Sequence, residues 1–394
     1  MMLQEIFRFL EENYPEMVRI RRHLHQYPEL SFQEKNTARF IADFYKNFGI
    51  PYQANVGGGG IVARISGRKP GKGVALRADF DALPIQDEKN VPYRSKIPGV
   101  MHACGHDGHT AMLLTLAKAL LNFRDHLAGE YILIHQHAEE LAPGGAKPMI
   151  EDGCLEGVDV IFGTHLWITE PVGRILYKSG PAMASADHFK ITVRGKGGHG
   201  AYPHTTIDPI VAASHLIISL QQIVSRKINP LDEAVVSVGT FHADGAFNII
   251  SEKAVLEGTV RTFREDIRTM VETEIGNISL GIAQAFRCQV DYEYLRGYPA
   301  LVNHEKETKF LEEVARTVPG VTEVIETQPH MGGEDFAYYL QQVKGTFFFT
   351  GAKPQNPEYQ VNHHHPKFDI DERSMLIGAK TLAALALLYH DQAG

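Results

Sequence analysis

An α/β catalytic domain interrupted by a small α+β insert is the fold that the 394-residue sequence predicts. Three observations predict it. Before Asp187 short apolar runs that read as strands alternate with helical segments, the pattern of an α/β sheet. From Asp187 to Tyr294 the order becomes β-α-β-β-α-β, that of a ferredoxin-like unit of about 110 residues. From Lys306 helices and strands resume. The expected limits are residues 1–185 for the first part of the catalytic domain, 186–297 for the insert and 298–394 for the second part.

Each element follows from its own pattern. Leu3–His25 carries apolar side chains at helical spacing and is closed by Pro28; Glu34–Phe48 is a second helix ending before Gly49 and Pro51. Val56–Arg64 opens on four glycines and reads as a turn feeding a strand. Gly73–Ala78 is a strand delivering Asp79 and Asp81 at its carboxyl end. MHACGHDGHT leads into a helix over His109–Phe123, where Leu113, Leu116, Leu120 and Leu121 share a face. Tyr131–His135 is a strand ending in Gln136-His137-Ala138-Glu139-Glu140, and Val160–Thr164 another ending at His165. In the insert, Phe189, Ile191 and Val193 alternate as in a half-buried strand, and Asp208–Ser225 is a helix introduced by Asp-Pro. Ala234–His242, Ala254–Thr262 and Gln289–Tyr294 read as strands and Asp266–Phe286 as a helix; Thr346–Thr350 and Glu372–His390 close the chain as strand and helix. The polar clusters of the catalytic segments fall at carboxyl ends of strands, where α/β sheets bind ligands.

Composition narrows the function. Apolar residues make up 44% and charged residues 22%, which argues against disorder. A formal net charge of −8 does not favour a phosphate-neutralising surface, so nucleic acid is not an expected partner. Met1–Leu10 shows no signal-peptide pattern, and the apolar run Leu382–Tyr389 is far short of the roughly 20 residues that span a bilayer. Three cysteines, an odd number too few for a disulfide framework, suit a reducing compartment. The expectation is a cytoplasmic enzyme without membrane contact.

Twenty histidines cluster beside Cys, Asp and Glu, and imidazole is the commonest metal ligand. Cys104-Gly-His106 sets a thiol and an imidazole two residues apart just before a helix, whose N-terminus, like a bound cation, would favour the thiolate. Glu139-Glu140 can divide labour, one carboxylate as ligand and the other as general base. Each feature alone also has a plainer reading: a buried Cys beside a satisfied His, a solvated carboxylate pair, a core histidine at 165, a polar loop at His363-His364-His365. Taken together they suit a borderline first-row dication such as zinc, cobalt, nickel or manganese. Gly195–Ala201 is a glycine-rich turn carrying His199, neither a P-loop nor a dinucleotide fingerprint.

In order along nearly the whole chain, RRHLHQYPELSFQE (Arg21–Glu34), RADFDALP, MHACGHDGHT, the Glu-Glu pair, GTHLW, GKGGHGAYPH, GGEDF (Gly332–Phe336) and HHPKFDIDE resemble the N-acyl-amino-acid amidohydrolases. These include hippurate hydrolases and plant auxin-conjugate hydrolases, within the carboxypeptidase G and aminoacylase superfamily of metallopeptidases. The resemblance implies a metallopeptidase-type domain, a mixed sheet flanked by helices, with the insert as a lid that also mediates dimerisation or higher homo-oligomers. It implies two divalent transition-metal ions per subunit (Zn, Mn, Co or Ni) held by Cys104, His106, Glu140, His165 and His364, with Glu139 as general base. His364 is chosen over its neighbours because relatives carry His-x-Pro there. Cys104 stands where distant members place a bridging aspartate, Asp79 where an aspartate orients a ligand, and Arg77 where they have a further histidine ligand. His137 replaces a proline common in relatives. His199 is implied to stabilise the oxyanion, Asn248 and Arg261 to face substrate, and Glu334 to lie near the metals.

The implied reaction is hydrolysis of a small N-acyl amino acid, N-acetyl or N-benzoyl for example, to a carboxylic acid and a free amino acid. Glu139 would deprotonate the metal-bound water that attacks the carbonyl, then return the proton to the leaving amine. Competing readings are an aminopeptidase or dipeptidase of the same superfamily, a catalytically silent metal-binding protein, and a cysteine nucleophile at Cys104.

Overall fold

The structure, a computed structural model, describes residues 2–391; Met1 and residues 392–394, which the expected limits of the catalytic segments include, lie outside the described residues. The chain forms two compact units. One comprises Met1–Ala182, Val302–Gln328 and Asp335–Gly394, and the other Met183–Leu301 with the short return segment Pro329–Glu334.

The first unit is built on an eight-stranded mixed sheet. Its strands lie in the order Tyr52–Val56, Gly60–Ser66, Ala128–Gln136, Lys69–Asp79, Val160–Trp167, Lys344–Gly351, Arg174–Tyr177 and Glu323–Glu326. The four central strands, from Ala128–Gln136 to Lys344–Gly351, run parallel. Their near-continuous apolar runs are what a parallel sheet covered by helices requires: Val74, Leu76, Leu133, Val160, Phe162 and Phe348 all enter one core. The helices Tyr14–Gln26, His106–Phe123 and Arg373–Leu388 pack together there, the last two also against the sheet. Because the strands are parallel, Asp79, Gln136 and His165 are delivered to the same edge of the sheet.

The second unit is a four-stranded antiparallel sheet in the order Ala234–Ala243, Lys253–Thr262, Ala186–Arg194, Gln289–Tyr298. The helices Pro209–Gln222 and Glu265–Phe286 pack on it. Phe189, Ile191 and Val193 are fully buried, as their alternation predicts. Asp208 caps its helix by accepting from the Ile210 amide at 2.9 Å. A separate ribbon pairs Gly198–His199 with Ile249–Ile250; two residues per strand are too few to show a period.

Several local expectations are corrected. Leu3–His25 is two helices, Met2–Glu12 and Tyr14–Gln26, because Asn13 leaves helical geometry and Pro15 starts the next helix. The glycine turn joins two strands, not one: in Tyr52–Val56 only Val56 is buried, so no alternation marks that strand. The central helix begins at His106 rather than His109 and is buried on nearly every side, not along a single stripe. His165 lies inside its strand, which continues to Trp167.

Candidate metal centre

Four chain segments converge at the carboxyl edge of the first unit's sheet. Gly105, at φ +97°, takes the left-handed conformation that lets the chain turn from Cys104 into the helix beginning at His106. Ala138 and His364 adopt the same region without being glycine, at φ 51° and 63°. Such backbone costs on the order of 1–3 kcal/mol each and persists where surrounding structure enforces it. Both flank proposed ligands or are one.

The convergence brings Cys104, His106, Glu139, Glu140, His165 and His364 together. Donor atoms of Cys104, His106 and His165, of Cys104, Glu140 and His364, and of His106, Glu139 and Glu140 lie within 4.8 Å of one another in each trio. Cys104 Sγ is 3.3 Å from His165 Nε2, and His364 Nε2 is 3.4 Å from Glu140 Oε2. The imidazoles are held from behind. His106 Nδ1 is 3.1 Å from both the Asp81 carbonyl and its carboxylate, and His165 Nδ1 donates to the Leu166 carbonyl at 2.9 Å. Each bond leaves Nε2 facing the cluster, the arrangement by which outer partners orient metal-ligating histidines. Of the three consecutive histidines, His363 turns to the Leu166 carbonyl at 3.1 Å, and His365 Nδ1 accepts from the Lys367 amide at 3.0 Å. Only His364 reaches Glu140.

The electrostatics fit a cation. His106 Nε2 and Glu140 Oε1 are buried and have no hydrogen-bond partner, an arrangement a metal would satisfy. Burial favours a neutral His106, yet Asp79, Asp81 and Glu140 outweigh it and take the imidazole up to about 10. Without a metal, the cluster thus gathers a proton as its positive charge. Burial, then Glu140, Glu139 and Asp79, push the Cys104 thiol well above its ordinary range. The helix N-terminus does not offset these carboxylates; a bound cation would favour the thiolate.

Behind the donors lies a layer the sequence indicated only in part. Arg77 is buried and spent on neighbours: it donates to Asp79 at 2.6 Å, Gln136 at 2.9 Å and Asp335 at 2.9 Å. Asp79 in turn accepts from His109 Nδ1 at 2.6 Å, and His109 Nε2 accepts the Leu166 amide at 2.9 Å. With both nitrogens engaged, His109 is a strut rather than a ligand. Asp107 is gripped by Arg21 Nε at 2.9 Å and His25 Nδ1 at 2.7 Å. Helical spacing placed Arg21 and His25 on one face, but nothing local tied them to Asp107 more than 80 residues away. In GGEDF, Asp335 rather than Glu334 carries the contacts to Arg77, Gln136 and the Ala146 amide; Glu334 is buried and belongs to the return segment of the second unit.

His199, Asn248 and Arg261 lie in the second unit. His199 is exposed on its two-residue strand, beside Asn248, whose carbonyl accepts the Gly200 amide at 2.8 Å. Arg261 is folded along its own strand, donating to the Val260 carbonyl at 3.0 Å and to Thr259 Oγ1.

Thiol, imidazole and carboxylate donors gathered at the carboxyl edge of a parallel sheet, from buried His106 and His165 to exposed His364, define a metallohydrolase type of centre. The chain belongs to peptidase family M20/M25/M40, whose model matches residues 75–388. It is 59% identical over 387 residues to YhaA of Bacillus subtilis (strain 168), which carries an amidohydrolase name, covering 98% of both chains. It is 45% identical over 303 residues to the N-acyl-L-amino acid amidohydrolase of Geobacillus stearothermophilus, covering 77% of this chain and 82% of the other. Among solved structures, the Bacillus subtilis protein YxeP, a dinuclear metal-binding peptidase of the M20 family, aligns with a TM-score of 0.83 and 36% identity over 97% of this chain and 100% of the other. An aminohydrolase from methicillin-resistant Staphylococcus aureus aligns with a TM-score of 0.92 and 42% identity, covering 98% and 99%. The protein is a hydrolase acting on amide bonds.

Proposed function

We propose that the chain hydrolyses small N-acyl amino acids to a carboxylic acid and a free amino acid, using two divalent transition-metal ions (Zn, Mn, Co or Ni). The observation that carries this reading is the carboxylate pair of buried Glu139 and half-buried Glu140, packed with Cys104 and three imidazoles of which one nitrogen is left without a partner. Cys104, His106, Glu140, His165 and His364 would hold the ions, with Asp79 steadying the site through His109. When bound, the ions supply Lewis acidity that acidifies water and polarises the amide carbonyl.

Glu139 is the general base: its carboxylate takes a proton from water and returns it to the departing nitrogen. His199 donates to the tetrahedral oxyanion, a contact worth about 3–4 kcal/mol when preorganised. Asn248 and Arg261 face the substrate, and Glu334 lies near the ions. The insert, residues 186–297, acts as a lid and as the contact through which subunits pair. The enzyme works in the cytoplasm without nucleic acid or membrane partners; among the described residues no helix is long and apolar enough to cross a membrane. The N-acyl-L-amino acid amidohydrolase of Geobacillus stearothermophilus, 45% identical, supports the substrate class.

The test is metal-resolved hydrolysis. Chelator-stripped protein, reconstituted singly with zinc, manganese, cobalt or nickel, is assayed on N-acetyl and N-benzoyl amino acids and on dipeptides. Metal-dependent release of amino acid from the acylated set is expected; activity confined to dipeptides would make the enzyme a peptidase.

A further inference from the structure

A second concave site lies in the first unit, lined in part by His137, two residues before Glu139. The cavity, of about 440 Å³, is lined among others by Phe32, Glu34, Lys35, Arg39, Gly59 and His137, a volume within the roughly 300–1,000 Å³ of small-molecule sites. None of the proposed metal ligands lines it.

His137 is the feature that needs an explanation. The residue is 2% exposed, yet its buried Nδ1 has no hydrogen-bond partner among the described residues. Buried polar groups are ordinarily paired. The fold makes room for this ring. A Cβ on Gly59 would sit 2.8 Å from the imidazole, and one on Gly145 would sit 1.9 Å from the His137 carbonyl. Phe32 meets the ring edge-on at 5.9 Å. Gly59 of the glycine turn thus leaves space for an imidazole whose Nδ1 has no hydrogen-bond partner among the described residues.

The remaining walls are ordered by charge. Inside, Glu34 is 6% exposed and accepts the Ala138 amide at 2.8 Å. At the mouth, Lys35 and Arg39 are exposed, one turn apart on the helix Lys35–Asn47, and neither is in an ion pair among the described residues. Between them stand Phe32, Ala42 and buried Ile61. Two cations outside, a carboxyl and an imidazole inside, and an apolar wall match a ligand bearing both charges and a hydrocarbon side chain.

We propose that this cavity binds a free α-amino acid with an apolar side chain. Its carboxylate lies against Lys35 and Arg39, its ammonium against Glu34 and His137, and its side chain against Phe32 and Ile61. Occupancy would reach Ala138, next to Glu139, through the Glu34 carboxylate that accepts the Ala138 amide. That consequence rests on the reading of Glu139 as base; the binding site does not.

The experiment is calorimetric titration of the metal-stripped full-length protein with L-phenylalanine, which removes metal-centred binding of carboxylates from the measurement. Saturable binding is expected, weakened at least tenfold by Lys35→Glu/Arg39→Glu, whose exposed positions leave the fold intact, and by Glu34→Gln. 3-Phenylpropionate and phenethylamine, each carrying one charge, should bind at least tenfold more weakly than phenylalanine. No saturable binding, equal binding of 3-phenylpropionate, or unchanged binding by the double variant overturns the proposal. Because no turnover is read, this outcome is independent of the substrate assay.

Discussion

The two compact units treat their polar residues in opposite ways. In the first, Asp79, Asp81, His106, Asp107, His109 and Glu139 are all buried, and partners on other segments fix Asp79, His109 and Asp107 in turn. In the second, the buried charges serve architecture. Arg268 donates to Asp187 at 2.5 and 2.8 Å, and Tyr294 adds a hydroxyl at 2.8 Å, tying a helix to the sheet. The second unit's proposed chemical group, His199, stays solvated in a turn. Burial makes electrostatics strong and geometry fixed, but it penalises any group left without a partner. The first unit is therefore a preorganised centre whose parts fail together, whereas His199 can be removed without disturbing its own fold.

That contrast can be broken at graded points. The largest effect is expected from His106→Ala or Cys104→Ala: bound metal falls, by elemental mass spectrometry, and kcat/KM drops about 10³-fold or more. Retention of full metal and activity would remove these residues from the centre. Arg77→Met should destabilise the protein by about 3–5 kcal/mol, because Asp79 and Asp335 lose their common counter-charge while buried; urea unfolding measures this. His199→Ala should lower kcat about 10²–10³-fold with melting temperature and metal content unchanged. A fall in stability comparable to that of Arg77→Met would erase the distinction between the units.

The smallest effect concerns pH. Burial, then the nearby Asp81 carboxylate, push Glu34 from its ordinary 4.5 up to about 7. The folded chain therefore holds this proton more tightly than the unfolded one. The resulting stabilisation is complete below pH 4.5 and is lost as pH rises through 7, about 3 kcal/mol at most. Glu34→Gln cannot ionise, so its stability relative to the parent should improve between pH 4.5 and 7.5. A pH-independent difference in parallel thermal scans would show that Glu34 does not titrate as its burial dictates.

The sequence made legible what local pattern encodes. Apolar runs ending in Asp79, Glu139-Glu140 and near His165 mark strands that carry chemistry at one end, and parallel packing then gathers those ends. The family resemblance supplied the choice of His364, which composition and spacing leave open among three neighbours; the structure separates them by a backbone carbonyl that takes His363. Histidine count alone overstates the centre: His135 bonds the Tyr45 hydroxyl at 2.6 Å and His25 supports Asp107. What stayed hidden were contacts between distant segments, such as Arg21 with Asp107 and Arg77 with Asp335. No periodicity announces a partner 86 or 258 residues away.

The central claim is that Glu139 does chemistry beside a donor set that holds metal without it. Glu139→Ala, purified alongside the parent and examined for both metal content and turnover of an N-acyl amino acid, addresses it directly. The account predicts bound metal nearly equal to that of the parent and turnover abolished; loss of the metal itself would make Glu139 a ligand and contradict the division of labour between the two adjacent carboxylates.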